Sequence, residues 1–242
     1  MKNIKLREDM NRNERKFSVT EKVLIASMIQ KIKSADHGKR IIAQITFQDV
    51  FRLFTREEKI LAQNIMRIKP KQYGFRGCYY GITPVPRNLI IVRYQRYRIG
   101  KKIYAIPPQL VPRNAYRAYR KLIAAMKRDI KKTVLIESGY RSPAYQFIIF
   151  LLYLKQYQWN IRKTCRRVAL PGYSEHGYPK KQALDFVTTD GIPSESNPFA
   201  FSETSEYTWL RAYASKFSFS LSYPPHNKWG VMFEPWHWSF KK

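Results

Sequence analysis

Negative charge, histidine and cysteine are all in short supply in this chain, and each shortage narrows its possible chemistry. Only seventeen Asp plus Glu stand against forty-five Lys plus Arg, so the net charge is +28. A field of that sign draws the molecule toward polyanions, among which nucleic acid, anionic lipid and anionic cell-envelope polymer qualify. The two cysteines, Cys78 and Cys165, have no metal-type spacing and cannot make a disulfide framework. Long apolar runs are missing as well. The longest, Phe147 to Leu154, lies between Gln146 and Lys155; this is far short of the roughly 20 residues a membrane helix needs, and it reads as a buried helix. The start, Met1 to Asp9, brings basic residues without the apolar run of a signal peptide, and no lipidation box follows. No export address is therefore expected in the chain as given. Fixed-period repeats and low-complexity tracts are absent too.

What the chain does contain is core material. With 44% hydrophobic and 15% aromatic residues over 242 positions, it can bury one large core, or a larger domain with a smaller companion. Ser18-Val19-Thr20-Glu21 has capping-box spacing, and Ile25, Met28, Ile29 and Ile32 follow at one-face helical intervals. Thr55-Arg56-Glu57-Glu58 does the same for Ile60, Leu61, Ile65 and Met66, predicting a helix to about Lys69, where Pro70 stops it. Two amphipathic helices are thus expected within residues 18–69. Between Gly74 and Pro112 the texture turns to Gly, Pro, Tyr and β-branched residues. There, Leu89 to Tyr94 and Lys102 to Ile106, separated by a basic stretch containing Gly100, predict a hairpin or two sheet strands. Asn114 is the expected N-cap of a helix carrying Tyr119, Leu122, Ile123, Met126 and Ile130, and a soft domain boundary is expected near it. Beyond it, Thr133 to Ile136 reads as a short strand, and Ser142-Pro143 as the N-cap and first residue of a helix through Tyr157. A last helix is expected over about Ser205 to Lys216.

The chemistry concentrates near the C-terminus. Glu234-Pro235-Trp236-His237-Trp238, taken with Ser174-Glu175-His176 and Asp185, has the composition of a metal site with its own proton carrier. Zinc accepts imidazole nitrogen and carboxylate oxygen, and a hydrolytic site keeps three protein ligands and one open position. His176, Asp185 and His237 supply that count, and Glu234 is a further carboxylate able to take a proton from water. Of the four histidines, His37 and His226 fall outside these blocks and are read as structural. Trp236 and Trp238 are read as packing around the site.

Taken in order, Ser138-Gly139-Tyr140-Arg141-Ser142 with Gln146, Pro171-Gly172-Tyr173-Ser174-Glu175-His176 leading to Ala183-Leu184-Asp185, Ser222-Tyr223-Pro224, and the Glu234 block resemble the VanY-type zinc D-alanyl-D-alanine carboxypeptidases. These are cell-wall peptidases that share a fold group with the hedgehog signalling domain. The resemblance runs from about residue 133 to 240. It implies an α+β fold, a small antiparallel sheet with flanking helices, preceded by a mainly helical N-terminal region. On that basis residues 1–112 are expected to be an accessory region of helices and a short hairpin, and residues 113–242 the zinc peptidase domain.

The resemblance also implies roles. His176, Asp185 and His237 bind one zinc ion, Glu234 is the catalytic base, and Arg141, Gln146 and Ser174 line the substrate site, with Tyr223 counted among them. Arg141 suits a clamp on a C-terminal carboxylate, through two parallel charge-assisted hydrogen bonds, or a stabiliser of a developing oxyanion. One departure stands out. The family usually has six residues between the first His and the Asp, whereas Gly177 to Leu184 make eight here, and Lys181 stands where a glycine is usual. A surface turn absorbs such an insertion cheaply, so Tyr178-Pro179-Lys180-Lys181 is expected to bulge while both ends keep their places.

The implied activity is removal of the C-terminal D-amino acid from peptidoglycan stem peptides, in the periplasm or cell envelope. A phage-type peptidoglycan endopeptidase on the same scaffold and a non-catalytic basic binding protein are the alternatives. Tyr94-Gln95-Arg96-Tyr97-Arg98 interleaves basic and aromatic residues as single-strand binders do, but no recognised nucleic-acid motif accompanies it. The basic surplus is therefore read as holding the protein to an anionic envelope polymer, with nucleic acid not expected as a partner.

Overall fold

The structure is a computed structural model and describes residues 15–35, 41–191 and 197–241. Met1 to Asp9 and His37 lie outside the described residues. Helix α1 (Val19–Ser34) opens on the expected box: Ser18 Oγ accepts from the Glu21 amide at 3.1 Å, and the Glu21 carboxylate accepts from the Ser18 amide at 2.9 Å. A third helix intervenes before the second expected one. It is α2 (Phe47–Arg52), opened by a box in which Asp49 rather than Glu or Gln faces Thr46. Helix α3 (Arg56–Met66) follows from Thr55 and ends short of Lys69.

The β-rich stretch differs from the expectation in its pairing. Strands β1 (Leu89–Val92), β2 (Arg96–Ile99), β3 (Lys102–Ala105) and β4 (Gln109–Pro112) form two separate antiparallel ribbons. β2 pairs with β3 across a turn at Gly100, whose φ of +56° suits a residue without Cβ. The apolar β1 pairs instead with β4, so the segments 89–94 and 102–106 are not partners. Helix α4 (Arg113–Ile130) starts one residue before Asn114, with Pro112 at the cap position and no side-chain cap bond. Proline fits there because its missing N–H is one that a helix start leaves unpaired.

The remainder holds β5 (Val134–Ser138), α5 (Pro143–Gln156), α6 (Ile161–Cys165), β6 (Ala183–Thr188), α7 (Pro198–Ser202), α8 (Ser205–Tyr213), β7 (Phe219–Leu221) and β8 (His237–Phe240). Four of these strands make one antiparallel sheet in the order β5-β6-β8-β7. Of the two large apolar clusters, only one includes residues of this sheet. Leu184, Phe186, Trp238 and Phe240 pack with Tyr119, Leu122 and Met126 of α4 and Leu210 of α8. Phe147, Phe150, Leu151 and Leu154 of α5 pack with Ile25 and Met28 of α1, Val50 of α2 and Leu61 and Ile65 of α3. The long apolar run is thus the buried helix expected of it, and the first helices share its core. Among the described residues no helix is long and apolar enough to cross a membrane.

Candidate metal centre

Strand register brings the site together. Ser138 on β5, Asp185 on β6 and His237 on β8 are cross-strand neighbours. A bulge between Ile136 and Ser138 inserts Glu137 and brings Ser138 opposite Asp185. Strand alternation then separates two faces: Leu184 and Phe186, with Trp238, enter the α4 cluster, while Asp185 and His237 take the opposite face. His176 arrives from a 3-10 turn, Glu175–Gly177, which Ser174 caps by accepting from the His176 amide at 3.3 Å. The inserted segment forms a second 3-10 turn, Pro179–Lys181, and Asp185 keeps its place beside both imidazoles.

All three candidate ligands are buried, and their donor atoms lie within 4.8 Å of one another. Asp185 Oδ2 is 3.2 Å from His176 Nε2, and Asp185 Oδ1 is 2.9 Å from His237 Nδ1. The other nitrogen of each ring is engaged: His176 Nδ1 meets the Gly139 carbonyl at 2.7 Å, and His237 Nε2 meets Glu175 Oε2 at 3.2 Å. A carbonyl only accepts, so His176 donates from Nδ1 and keeps the Nε2 lone pair for a ligand. Two imidazole nitrogens and one carboxylate oxygen are the number and type of ligand that a four-coordinate zinc with one open position takes. The residues fit the ion.

The charges are strongly coupled. Burial pushes the Asp185 carboxyl up, but the adjacent His176 and His237 outweigh it and hold it well below the ordinary range. Burial and the Arg141 charge take His176 down to about 4. His237 goes the other way, to about 10, because its bonds to Asp185 and Glu175 overcome its burial. Without a metal, these groups thus behave as carboxylates gathered around a cation at His237.

The sequence-predicted site residues all line one cleft of about 290 Å³. Glu234 Oε2 stands 3.7 Å from His237 Nδ1, beyond a hydrogen bond but beside the ligand cluster. Arg141 donates from Nη2 to Asp185 Oδ2 at 2.8 Å and from Nε to Ser138 Oγ at 2.9 Å, so part of its fork is used inside the protein. Gln146 donates to the Ala169 carbonyl at 2.8 Å, while its Oε1 is buried with no partner. Tyr223 packs its ring 4.7 Å from that of His237. Trp236 and Trp238 are buried, as packing residues should be. His226 lies away from the cluster, in a separate depression with Arg162 and Arg166.

Two contributors had no role in the sequence reading. Ser138 stood in a quoted block without a role, and register sets it opposite Asp185, where it accepts from Arg141. Glu175, buried between the two quoted residues Ser174 and His176, accepts from Ser222 Oγ at 2.5 Å, from Tyr80 at 3.3 Å and from Lys181. Burial alone would raise its carboxyl, but His237 and Lys181 bring it down to about 2. Its position in Ser-Glu-His was the available signal.

The family model described as VanY, D-alanyl-D-alanine carboxypeptidase, matches residues 108–242, more than half of the chain. The chain belongs to the VanY family. YodJ of Bacillus subtilis (strain 168), whose name provisionally calls it a carboxypeptidase, is 30% identical over 200 residues. That alignment takes in 79% of this chain and 65% of YodJ, so the chain spans just under two thirds of this relative's length. The LdcB LD-carboxypeptidase structure superposes with a TM-score of 0.54 over 71% of this chain and 77% of that one, at 24% identity. At that identity the likeness supports the VanY-type fold alone, the α+β hedgehog-like arrangement expected from the sequence.

Proposed function

We propose that this protein is a zinc-dependent carboxypeptidase that removes the C-terminal D-amino acid of peptidoglycan stem peptides. The observation that carries the reading is the buried His176, Asp185 and His237 group, with Glu234 beside it at one open cleft. His176, Asp185 and His237 would hold the zinc ion, whose Lewis acidity would lower the pKa of a water and polarise a carbonyl. Glu234 takes the proton of the attacking water and delivers it to the departing amine, acting as base and then as acid. Arg141, held by Ser138 and Asp185 at the cleft wall, offers its remaining N–H groups to the substrate carboxylate or to the carbonyl oxygen as charge develops there. Gln146, which lines the same cleft, is the further polar side chain of the substrate wall. Ser174 and Tyr223 complete the wall.

In this reading residues 113–242 are the peptidase unit and residues 1–112 an accessory region, whose described helices α1, α2 and α3 pack on α5. The place of action is outside the cytoplasm, as suits a family that acts on cell walls. The +28 charge supports contact with an anionic envelope polymer as well.

Mass spectrometry of muropeptides incubated with the zinc-loaded protein tests this. Stem peptides should lose one terminal residue, and a chelator should stop the reaction. Opening of cross-linked dimers would favour an endopeptidase, and intact muropeptides beside a zinc-loaded protein would overturn the reading.

A further inference from the structure

The inserted segment between His176 and Asp185 places a cation where a turn of any composition would have sufficed. Lys181 ends the 3-10 turn Pro179–Lys181 and bonds Glu175 Oε1 through its ammonium group, three-quarters buried. Tyr80, reaching in from the N-terminal half, donates to the same oxygen at 3.3 Å, with its ring stacked on Tyr178 at 4.7 Å. On the other oxygen, Ser222 donates at 2.5 Å, and His237 Nε2 stands at 3.2 Å. A carboxylate offers about four lone-pair positions. Here each has a candidate partner, and His237 is one of the four.

That arrangement has a chemical consequence for the ring. Lysine, and the tyrosine and serine O–H groups as placed, only donate to Glu175, so the carboxylate faces His237 as an acceptor. Nε2 therefore keeps its hydrogen toward Glu175, and Nδ1, 2.9 Å from Asp185, is the nitrogen that would give up its proton to bind the ion. We infer that Glu175, set by Lys181 and Tyr80, is a positioning residue that fixes the His237 tautomer and ring angle for the metal. The inference rests on the zinc reading above and extends it to residues outside the three candidate ligands and the base. It also gives the longer loop a purpose: it carries the counter-charge of the carboxylate that orients the ligand.

Glu175→Gln is the sharp test, because an amide of the same shape can present N–H instead of O toward Nε2 and so favour the wrong tautomer. Zinc affinity is read by competition with a chromophoric chelator, beside the visible spectrum of the cobalt-substituted protein. Loss of a carboxylate behind a ligating histidine typically weakens metal binding about 10- to 100-fold. We expect that range for Glu175→Gln, a smaller loss with an altered cobalt spectrum for Lys181→Met, and recovery in Lys181→Arg. Lys181 is partly exposed, so its variants report even where Glu175→Gln fails to fold. Wild-type affinity and spectrum in Lys181→Met and in folded Glu175→Gln would overturn the inference and leave the zinc reading intact. A wild-type protein without zinc affinity would remove both.

Discussion

Gly139→Ala is a one-atom change that should damage the core and the metal centre together. Gly139 has no unusual φ; size is what excludes a side chain there. A Cβ at this position would lie 2.2 Å from the Leu110 carbonyl oxygen, with Val111 Cγ2 at 3.2 Å. Restoring ordinary contact requires β4 and the end of β5 to part by roughly 1 Å. The Tyr140 amide donates to that same Leu110 carbonyl, and the Gly139 amide donates to Gln109 Oε1 at 3.1 Å, so both bonds stretch. Overpacking typically costs about 1–3 kcal/mol, and a weakened hydrogen bond about 0.5–1.5 kcal/mol more. The sum, about 1.5–4.5 kcal/mol, is readable as a fall in the denaturant midpoint at unchanged slope. The Gly139 carbonyl also holds His176 Nδ1 at 2.7 Å; displacing it should weaken zinc about 10- to 100-fold, as for other partners of a ligating histidine. A variant within about 0.5 kcal/mol of wild type, the size of an ordinary surface substitution, with unchanged zinc affinity would refute this account of how the β5 turn supports the site.

Other consequences are simpler to check. Glu234→Gln should keep zinc, since Glu234 is not among the clustered donors, yet lose turnover by about 100-fold or more; retained hydrolysis would reject it as the base. Glu58 is buried with both oxygens on Lys31 Nζ, at 3.0 and 2.8 Å, and although burial pushes its carboxyl up, Lys31 and the Thr55 amide hold it below the ordinary value. A carboxyl lowered on folding stabilises above its unfolded pKa, so stability should fall as pH drops from about 4.5 through the folded value. Unfolding midpoints of Glu58→Gln should show less of that decline, and an identical pH profile would count against the pair. Cys78 is exposed, whereas burial pushes the Cys165 thiol up to about 12. A thiol reagent should therefore count one cysteine in the native protein and two after denaturation; two fast native thiols would contradict the packing of α6.

Local chemistry made much of this legible before any coordinates. Ser18, Thr55 and Ser142 cap helices where their spacing predicts them. The α2 helix escaped because Asp49 closes its box in place of the longer Glu or Gln. Pairing was harder. β1 and β4 are twenty residues apart, and nothing local in Leu89 to Val92 says that its partner is the third strand on rather than the next one. Sharing of the α5 core by α1, α2 and α3 was equally hidden, since composition does not reveal which apolar faces meet. The site was readable as blocks because ligands and base need fixed residue types. Its support was not: Glu175 is held by Tyr80, Lys181 and Ser222, three residues from different parts of the chain that converge only on folding.

The most direct measurement is zinc stoichiometry, by elemental mass spectrometry after equilibration with the metal and dialysis, for wild type and for a folded Asp185→Ala, His237→Ala double variant. One zinc per wild-type chain and none in the variant is the predicted result. A metal-free wild type, or a variant that retains one equivalent, would contradict the account.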